Sequence, residues 1–412
     1  MDAIEQLNCI QLKGLEKIKC GDVMNTVLSR KAEQRPRNCL YHFLLMIKYS
    51  FTQRTAIDKQ EGKKKVAFLL SNSYNTRSDY HTTFDKIAST CSDKIIFGSC
   101  AKFSVGYSFL IFQLIQWYRE VRKIFDRNRA MFFISELYID YLDAKRIVDF
   151  VIREKCKMLV VFSDFHPIDS LAVQLCKQHG IKTATLQHGF FSQGSIAFKY
   201  SHSDYFLGYG QYTCELARMS GFDTSKFVSV GMGQLIDIGV RKQVTHHKTR
   251  NFIVILDSVA EEDIALLDLT REFALEMGYK RIIKLHPGHG FLEQYSGHVF
   301  SEDEVIVKQK TVIELIDEAD FAVIAGGSTV FTEYLVRLFP AFLFSRFNNR
   351  YKGFKWCEFV NIEDLKSLVV KNQNSELDPF ITKSQEYVSE VNDVRRNYEQ
   401  FFDMICDENS VG

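Results

Sequence analysis

The sequence predicts an α/β protein with two Rossmann-like domains facing a cleft, and three observations carry that prediction. The chain has 412 residues, more than one ordinary domain and enough for two of about 150–200 residues each. Short continuous apolar runs alternate with longer helical segments, the pattern of parallel strands covered on both faces. The series breaks at 240–250 (VRKQVTHHKTR), a polar, basic stretch without periodicity, and then begins again.

The first series runs KVAFLLS from Lys65, then KIIF, MLVVF, IKTATL, SDYFLGY and FVSVG. Helices are predicted between these strands near 80–90, 107–125, 140–153, 168–179 and 211–220. The second series is FIVIL, RIIKL, EVIVK, FAVIA and AFLF, with helices at 261–277, 312–317 and 329–338. Residues 381–405 carry no strand signal and read as a long final helix. The resulting organisation is a helical N-terminal extension at 1–60, a first Rossmann-like domain at 61–240 and a second at 241–375. A C-terminal crossover helix at 376–412 then packs back on the first domain.

Hydrophobic residues make up 46% and charged residues 25% of the chain, enough apolar material for a sizeable core. The net charge of +1 argues against nucleic acid as the main partner, which would call for a basic excess. Ten cysteines are scattered without a C-x-x-C pair and read as small buried hydrophobes in a reducing compartment. The longest apolar run, 107–118 (YSFLIFQLIQWY), is shorter than the roughly 20 residues needed to span a bilayer. No secretory signal opens the chain, so a cytoplasmic location is expected. Basic segments beside apolar ones in the first sixty residues read either as helices packed on the first domain or as a peripheral membrane or partner contact.

Ligands of doubly wound sheets bind beyond the C-terminal strand ends, so residues there matter most. After KVAFLL comes a polar loop in which Ser78 or Asp79 caps the next helix, or Arg77 and Asp79 reach into the cleft to bind an acceptor. After MLVVF, Asp164 and His166 are ionisable groups at the cleft floor. After IKTATL come Gln187, His188 and Gly189, where an imidazole with an ordinary pKa near 6.5 suits a general base. In the second half, Ser258 follows FIVIL, and His286-Pro287-Gly288 follows RIIKL, turning the chain so that His286 and nearby N–H groups face whatever lies above the sheet. After FAVIA, Gly326-Gly327-Ser328-Thr329 opens a helix. Its glycines allow close approach, Ser328 and Thr329 cap the helix and donate to phosphate, and Glu333 lies one turn in, placed for ribose hydroxyls. The P-loop pattern and metal-ligand clusters are both absent from the sequence.

In motif order, T-L-Q-H-G-F, K-L-H-P-G-H and G-G-S-T-V-F-T-E resemble the GT-B enzymes of bacterial surface and capsular polysaccharide assembly. That wider group includes H-P-motif sialyltransferases and CDP-glycerol glycerophosphotransferases, and the resemblance covers about 65–344. It implies a metal-independent glycosyltransferase that takes a nucleotide-sugar as substrate, needs no cofactor, and acts on a glycan or lipid-linked acceptor. The first domain would then be the acceptor half and the second the nucleotide-donor half. His188 would be a base or acceptor-site residue, His286 the donor-phosphate ligand, Ser328 and Thr329 the phosphate-binding turn, and Glu333 the ribose contact. Q-H-G-F stands where glycerophosphotransferases have W-H-G-T, and G-G-S-T where they have D-Y-S-S, which favours a sugar donor. The acidic base motif of some sialyltransferases is also absent, against a sialic acid donor. A UDP-sugar 2-epimerase, a glycerophosphotransferase and a non-catalytic binding module are the alternatives.

Overall fold

The computed structural model describes residues 3–12, 15, 17–24, 66–70, 78–98, 110–189, 191, 193–236, 249–257, 260–285, 293–306, 310–326, 328–337, 339–346, 354–373 and 394–407. Residues 240–248 and most of 1–60 fall outside them.

Two six-stranded parallel sheets organise the chain. The first is built from β1 (Val66–Leu70), β2 (Lys94–Gly98), β3 (Met158–Val161), β4 (Lys182–Leu186), β5 (Tyr205–Gly208) and β6 (Phe227–Ser229), in the order β2-β1-β3-β4-β5-β6. The second is built from β7 (Asn251–Ile255), β8 (Lys280–Lys284), β9 (Glu304–Ile306), β10 (Phe321–Ala325), β11 (Ala341–Phe344) and β12 (Glu358–Phe359), in the order β12-β11-β10-β7-β8-β9. β1, β3, β10 and β11 are buried at every position, because helices lie on both faces. That burial is why these strands read as unbroken apolar runs.

In chain order the helices are α1 (Ala3–Cys9), α2 (Cys20–Val23), α3 (Ser78–Ser89), α4 (Leu110–Val121), α5 (Arg127–Arg153), α6 (Pro167–Gln178), α7 (Ile196–Lys199) and α8 (Gln211–Met219) in the first half. The second half carries α9 (Ala260–Met277), α10 (Val330–Val336) and α11 (Ile362–Gln373), and α12 (Val394–Asp407) ends the described chain. α5 begins thirteen residues before the predicted start at 140, at Asp126, whose carboxylate accepts from Asn128 N (2.9 Å) and Arg129 N (3.0 Å). α11 and the short β12 are elements that periodicity did not indicate. The predicted 312–317 helix is a 3₁₀ turn at Glu314–Glu318.

Three packing arrangements position the rest. Leu7, Leu12, Leu15, Ile18, Val23 and Met24 share one core with α5 and α6, so the N-terminal segment is seated on the first domain. Tyr398, Phe401, Phe402 and Ile405 of α12 pack on the first sheet, with Phe402 5.3 Å from Phe68. Tyr209 and Met232, which follow β5 and β6, enter the core of the second domain. Among the described residues no helix is long and apolar enough to cross a membrane.

Candidate functional site

Each sheet has one place where neighbouring strands send their connections in opposite directions: β1 and β3 in the first, β7 and β10 in the second. Loops leaving the C-terminal strand ends there frame a crevice. Arg77, Ser258, His286, Pro287 and Gly327 lie outside the described residues. Asp79 lies in the first turn of α3, and its side chain is outside the description.

His188 sits two residues past β4 and is half-buried, with Nδ1 wholly buried. Rings enclose it: Phe162 at 4.9 Å and Phe165 at 6.1 Å lie roughly parallel to the imidazole, at 33° and 27°. Tyr80 at 5.9 Å and Phe191 at 5.4 Å meet it edge-on. These contacts fix the plane of the imidazole. His166 continues the stack, 4.8 Å from Phe165, at the N-cap position of α6, where its side chain makes no capping bond.

Two polar side chains near the strand ends, Asp164 and Gln187, are already hydrogen-bonded. Asp164 is 1% exposed, and its Oδ2 accepts from Ser201 Oγ (2.9 Å), His202 N (2.8 Å) and Ser203 N (2.8 Å). A carboxylate with three donors on one oxygen holds the 201–203 turn in place; it does not stand open at the cleft floor. Gln187 is likewise buried, donating to Gly189 O (2.9 Å) and accepting from Tyr209 N (2.7 Å). It ties the His188 loop to the exit of β5.

On the opposite side, Ser328 is buried and Thr329 exposed at the start of α10. Capping here differs from expectation: Ser328 Oγ accepts a long bond from Val330 N (3.4 Å), and Thr329 makes no side-chain cap. Backbone donors of this turn are largely used internally. Gly326 N bonds Glu262 Oε1 (3.0 Å), Ser328 N bonds Ala325 O (3.2 Å), and Phe331 N bonds Ser328 O (3.4 Å). Glu333 is half-buried within electrostatic reach of Tyr209 and Arg337. Burial raises the Tyr209 phenol above its ordinary pKa, and the Glu333 charge adds to that rise. Burial lowers the pKa of Lys284, the last residue of β8, against an opposing contribution from Glu314.

Two loops predicted from distant parts of the chain meet here. A methyl group placed on Gly189 would lie 3.6 Å from Thr329 Cγ2, so the His188 loop and the Ser328–Thr329 turn are in van der Waals reach across the domain boundary. Tyr209, which follows β5 of the first sheet, packs into the core of the second domain and lies within electrostatic reach of Glu333. Sequence reasoning missed Tyr80, Tyr209, Glu262 and Asp263. The only local signal for the last pair was two adjacent acids in the first helical turn after a strand, a pattern that ordinarily marks a solvated helix end.

No protein-family model and no curated protein matches the chain. Solved structures do match its fold. A Listeria monocytogenes protein provisionally assigned as a UDP-N-acetylglucosamine 2-epimerase superposes with a TM-score of 0.53 at 11% identity, over 84% of this chain and 98% of its own. The glycosyltransferase of kitacinnamycin gives 0.51 at 9% identity, over 84% of this chain and 100% of its own. A glycosyltransferase from Rickettsia africae gives 0.50 at 11% identity, over 85% and 100%. The chain has the two-domain GT-B fold that these structures share.

Proposed function

We propose that this chain is a glycosyltransferase, moving a sugar from a nucleotide-sugar to a hydroxyl of a glycan or lipid-linked acceptor in bacterial surface polysaccharide synthesis. The observation that carries the reading is the approach of the His188-Gly189 loop to Thr329 across the boundary between the two halves, close enough that a methyl group added at Gly189 would lie 3.6 Å from Thr329 Cγ2. It brings a candidate proton acceptor next to hydroxyls suited to phosphate, the pairing that transfer chemistry needs.

In this reading the acceptor hydroxyl attacks the anomeric carbon of the donor. A bond forms between the acceptor oxygen and that carbon, the bond from that carbon to the donor phosphate oxygen breaks, and its electron pair leaves with the nucleotide. His188 Nε2 takes the proton, while Phe162 and Phe165 hold the ring plane. Ser328, Thr329 and His286, at the Pro287 turn, meet the charge that develops on the leaving phosphate, and Glu333 receives ribose hydroxyls. Gly327 and Ser258 line the donor side, and Arg77 and Asp79 the acceptor side. His166, stacked beyond Phe165, extends the acceptor side. Asp164 and Gln187 act as positioning residues, since their polar atoms are committed to the 201–203 turn and to Gly189 and Tyr209. The transfer is proposed to run without a metal, at the cytoplasmic face of the membrane.

The fold also serves a structure assigned as a 2-epimerase, so the test separates the two reactions. The protein is first screened by melting temperature against UDP, CDP, CMP, GDP and dTDP, because a ligand that binds the native state raises its stability. The matching nucleotide-sugar is then incubated with excess EDTA, with and without a glycan acceptor. The proposal predicts acceptor-dependent release of nucleotide. Epimerised nucleotide-sugar formed without acceptor would overturn it, and activity abolished by EDTA would overturn its metal-independent form.

A further inference from the structure

Three segments of the second domain follow the C-terminal ends of their strands: 256–257 after β7, where Leu256 N still bonds Lys284 O (3.2 Å), the 293–295 turn after β8, and Gly326 after β10. All three are tied to one helical turn. Gly326 N donates to Glu262 Oε1 at 3.0 Å, Asp257 N to Asp263 Oδ1 at 2.9 Å, and Tyr295 Oη to Asp263 Oδ2 at 2.5 Å. The sheet order explains how adjacent residues reach such separate loops. β7 lies between β10 and β8, so α9, which follows β7, starts above the middle of the three. Successive side chains on a helix diverge by about 100°, which sends Glu262 towards the β10 exit and Asp263 towards the β7 and β8 exits.

Burial makes this arrangement unusual for the start of a helix. Glu261, in the same turn, is exposed, which suffices to favour a helix N-terminus. Glu262 and Asp263 are 3% and 0% exposed, and a buried carboxylate is costly unless donors reach it. The Gly326, Asp257 and Tyr295 donors are what offset that cost, and each belongs to a different loop.

We infer that Glu262 and Asp263 are positioning residues that hold the three loops of the donor half in the arrangement a nucleotide diphosphate meets. The inference rests on reading the second domain as the donor half. It goes beyond that reading by assigning preorganisation of the site to two residues expected to make no contact with the substrate.

The experiment compares wild type with Glu262→Ala, Glu262→Gln and Tyr295→Phe. Calorimetry with UDP, CDP, GDP and dTDP gives affinity, and amide hydrogen exchange without ligand reports on each loop. Glu262→Ala is expected to weaken the nucleotide that wild type binds by at least about tenfold, the scale of one charged hydrogen bond. Glu262→Gln, which keeps an oxygen to accept from Gly326, is expected to recover most of that loss. Exchange should accelerate at 325–329 in Glu262→Ala, and at 293–296 in Tyr295→Phe, each without the other. Unchanged affinity in both Glu262→Ala and Tyr295→Phe, or Gln no better than Ala, would overturn the assignment. Should Glu262→Ala fail to fold, Tyr295→Phe decides alone, because it removes one hydroxyl. If wild type binds none of the four nucleotides, the donor-half reading fails. Loop exchange then stands as the separate test, and rates equal to wild type at both loops overturn the tether itself.

Discussion

The two halves of the cleft hold their loops by different means. In the first domain, His188 is packed among four rings, its loop is tied through the Gln187 side chain to Gly189 O and Tyr209 N, and Asp164 holds the 201–203 turn. In the second, the loop after β10 presents small hydroxyls, and the support comes from carboxylates on a neighbouring helix. Aromatic packing sets the plane of a group whose orientation matters, as a base requires. Carboxylate tethers set the backbone of loops that must follow the outline of a charged ligand. Under the proposed function, proton transfer falls to the first half and charge accommodation to the second.

The comparison is broken most sharply at His188. His188→Ala should lower transfer by about 10²–10⁴-fold, the usual contribution of a positioned base, while the nucleotide-induced rise in melting temperature stays as in wild type. Equal losses of both would mean that the two halves do not divide the work. Arg281 offers the opposite control within the second domain. It lies at the far end of β8, bonded to Asp303 (2.8 and 2.5 Å) and Leu267 O (2.6 Å), and is almost wholly buried. Arg281→Ala should cost about 3–5 kcal/mol of stability, as expected when one partner of a buried pair is removed. Chemical denaturation measures that cost, and nucleotide affinity at a temperature where the variant is folded should be unchanged.

Asp164→Ala comes next, at roughly 3 kcal/mol, because it leaves Ser201 Oγ, His202 N and Ser203 N without their acceptor. If Asp164 were instead a proton-transfer group, Asp164→Asn would abolish transfer while preserving stability. A smaller effect is expected at the N-terminal segment, where Asp22 accepts from Asn8 Nδ2 (2.7 Å) and pairs with His202 Nε2 (3.1 Å). Burial on its own would raise the Asp22 carboxyl, but the His202 and Asn8 hydrogen bonds and the His202 and Lys19 charges outweigh it and hold the pKa below its ordinary value. The contribution is therefore fully present above about pH 4 and is lost as pH falls through the depressed folded-state value. Asp22→Asn should flatten the acid limb of a stability-against-pH curve below about pH 4, and an unchanged limb would remove Asp22 from the account. The smallest effect is expected from Gly189→Ala, whose added methyl would meet Thr329 at ordinary contact distance. A change within about 0.5 kcal/mol is the expected result, whereas Gly189→Trp should wedge the loops apart and abolish nucleotide-dependent activity.

Much of the architecture was legible because strands buried on both faces announce themselves. Val66–Leu70 and Phe321–Ala325 are apolar at every position and buried at every position. The start of α5 was missed although Phe133, Ile134, Leu137, Tyr138, Tyr141 and Leu142 are buried at helical spacing over about half its circumference. The two-residue β12 is too short for any periodicity. At the site, strand ends marked His188 and Ser328–Thr329, and the structure sets these loops against each other. The functions of Asp164 and Gln187 could not be read, since their partners lie 22 to 39 residues away. Glu262 was invisible for the same reason, with Gly326 lying 64 residues on. Sequence shows which polar residues stand at strand ends; only tertiary contacts show which of them are already committed.

Release of free nucleotide from its sugar conjugate, measured with acceptor for wild type and His188→Ala, tests the shared site most directly. The account predicts acceptor-dependent release by wild type and a rate at least about a hundredfold lower for His188→Ala, with both proteins stabilised alike by the nucleotide. Equal rates in the two proteins, or stabilisation lost together with the imidazole, would contradict it.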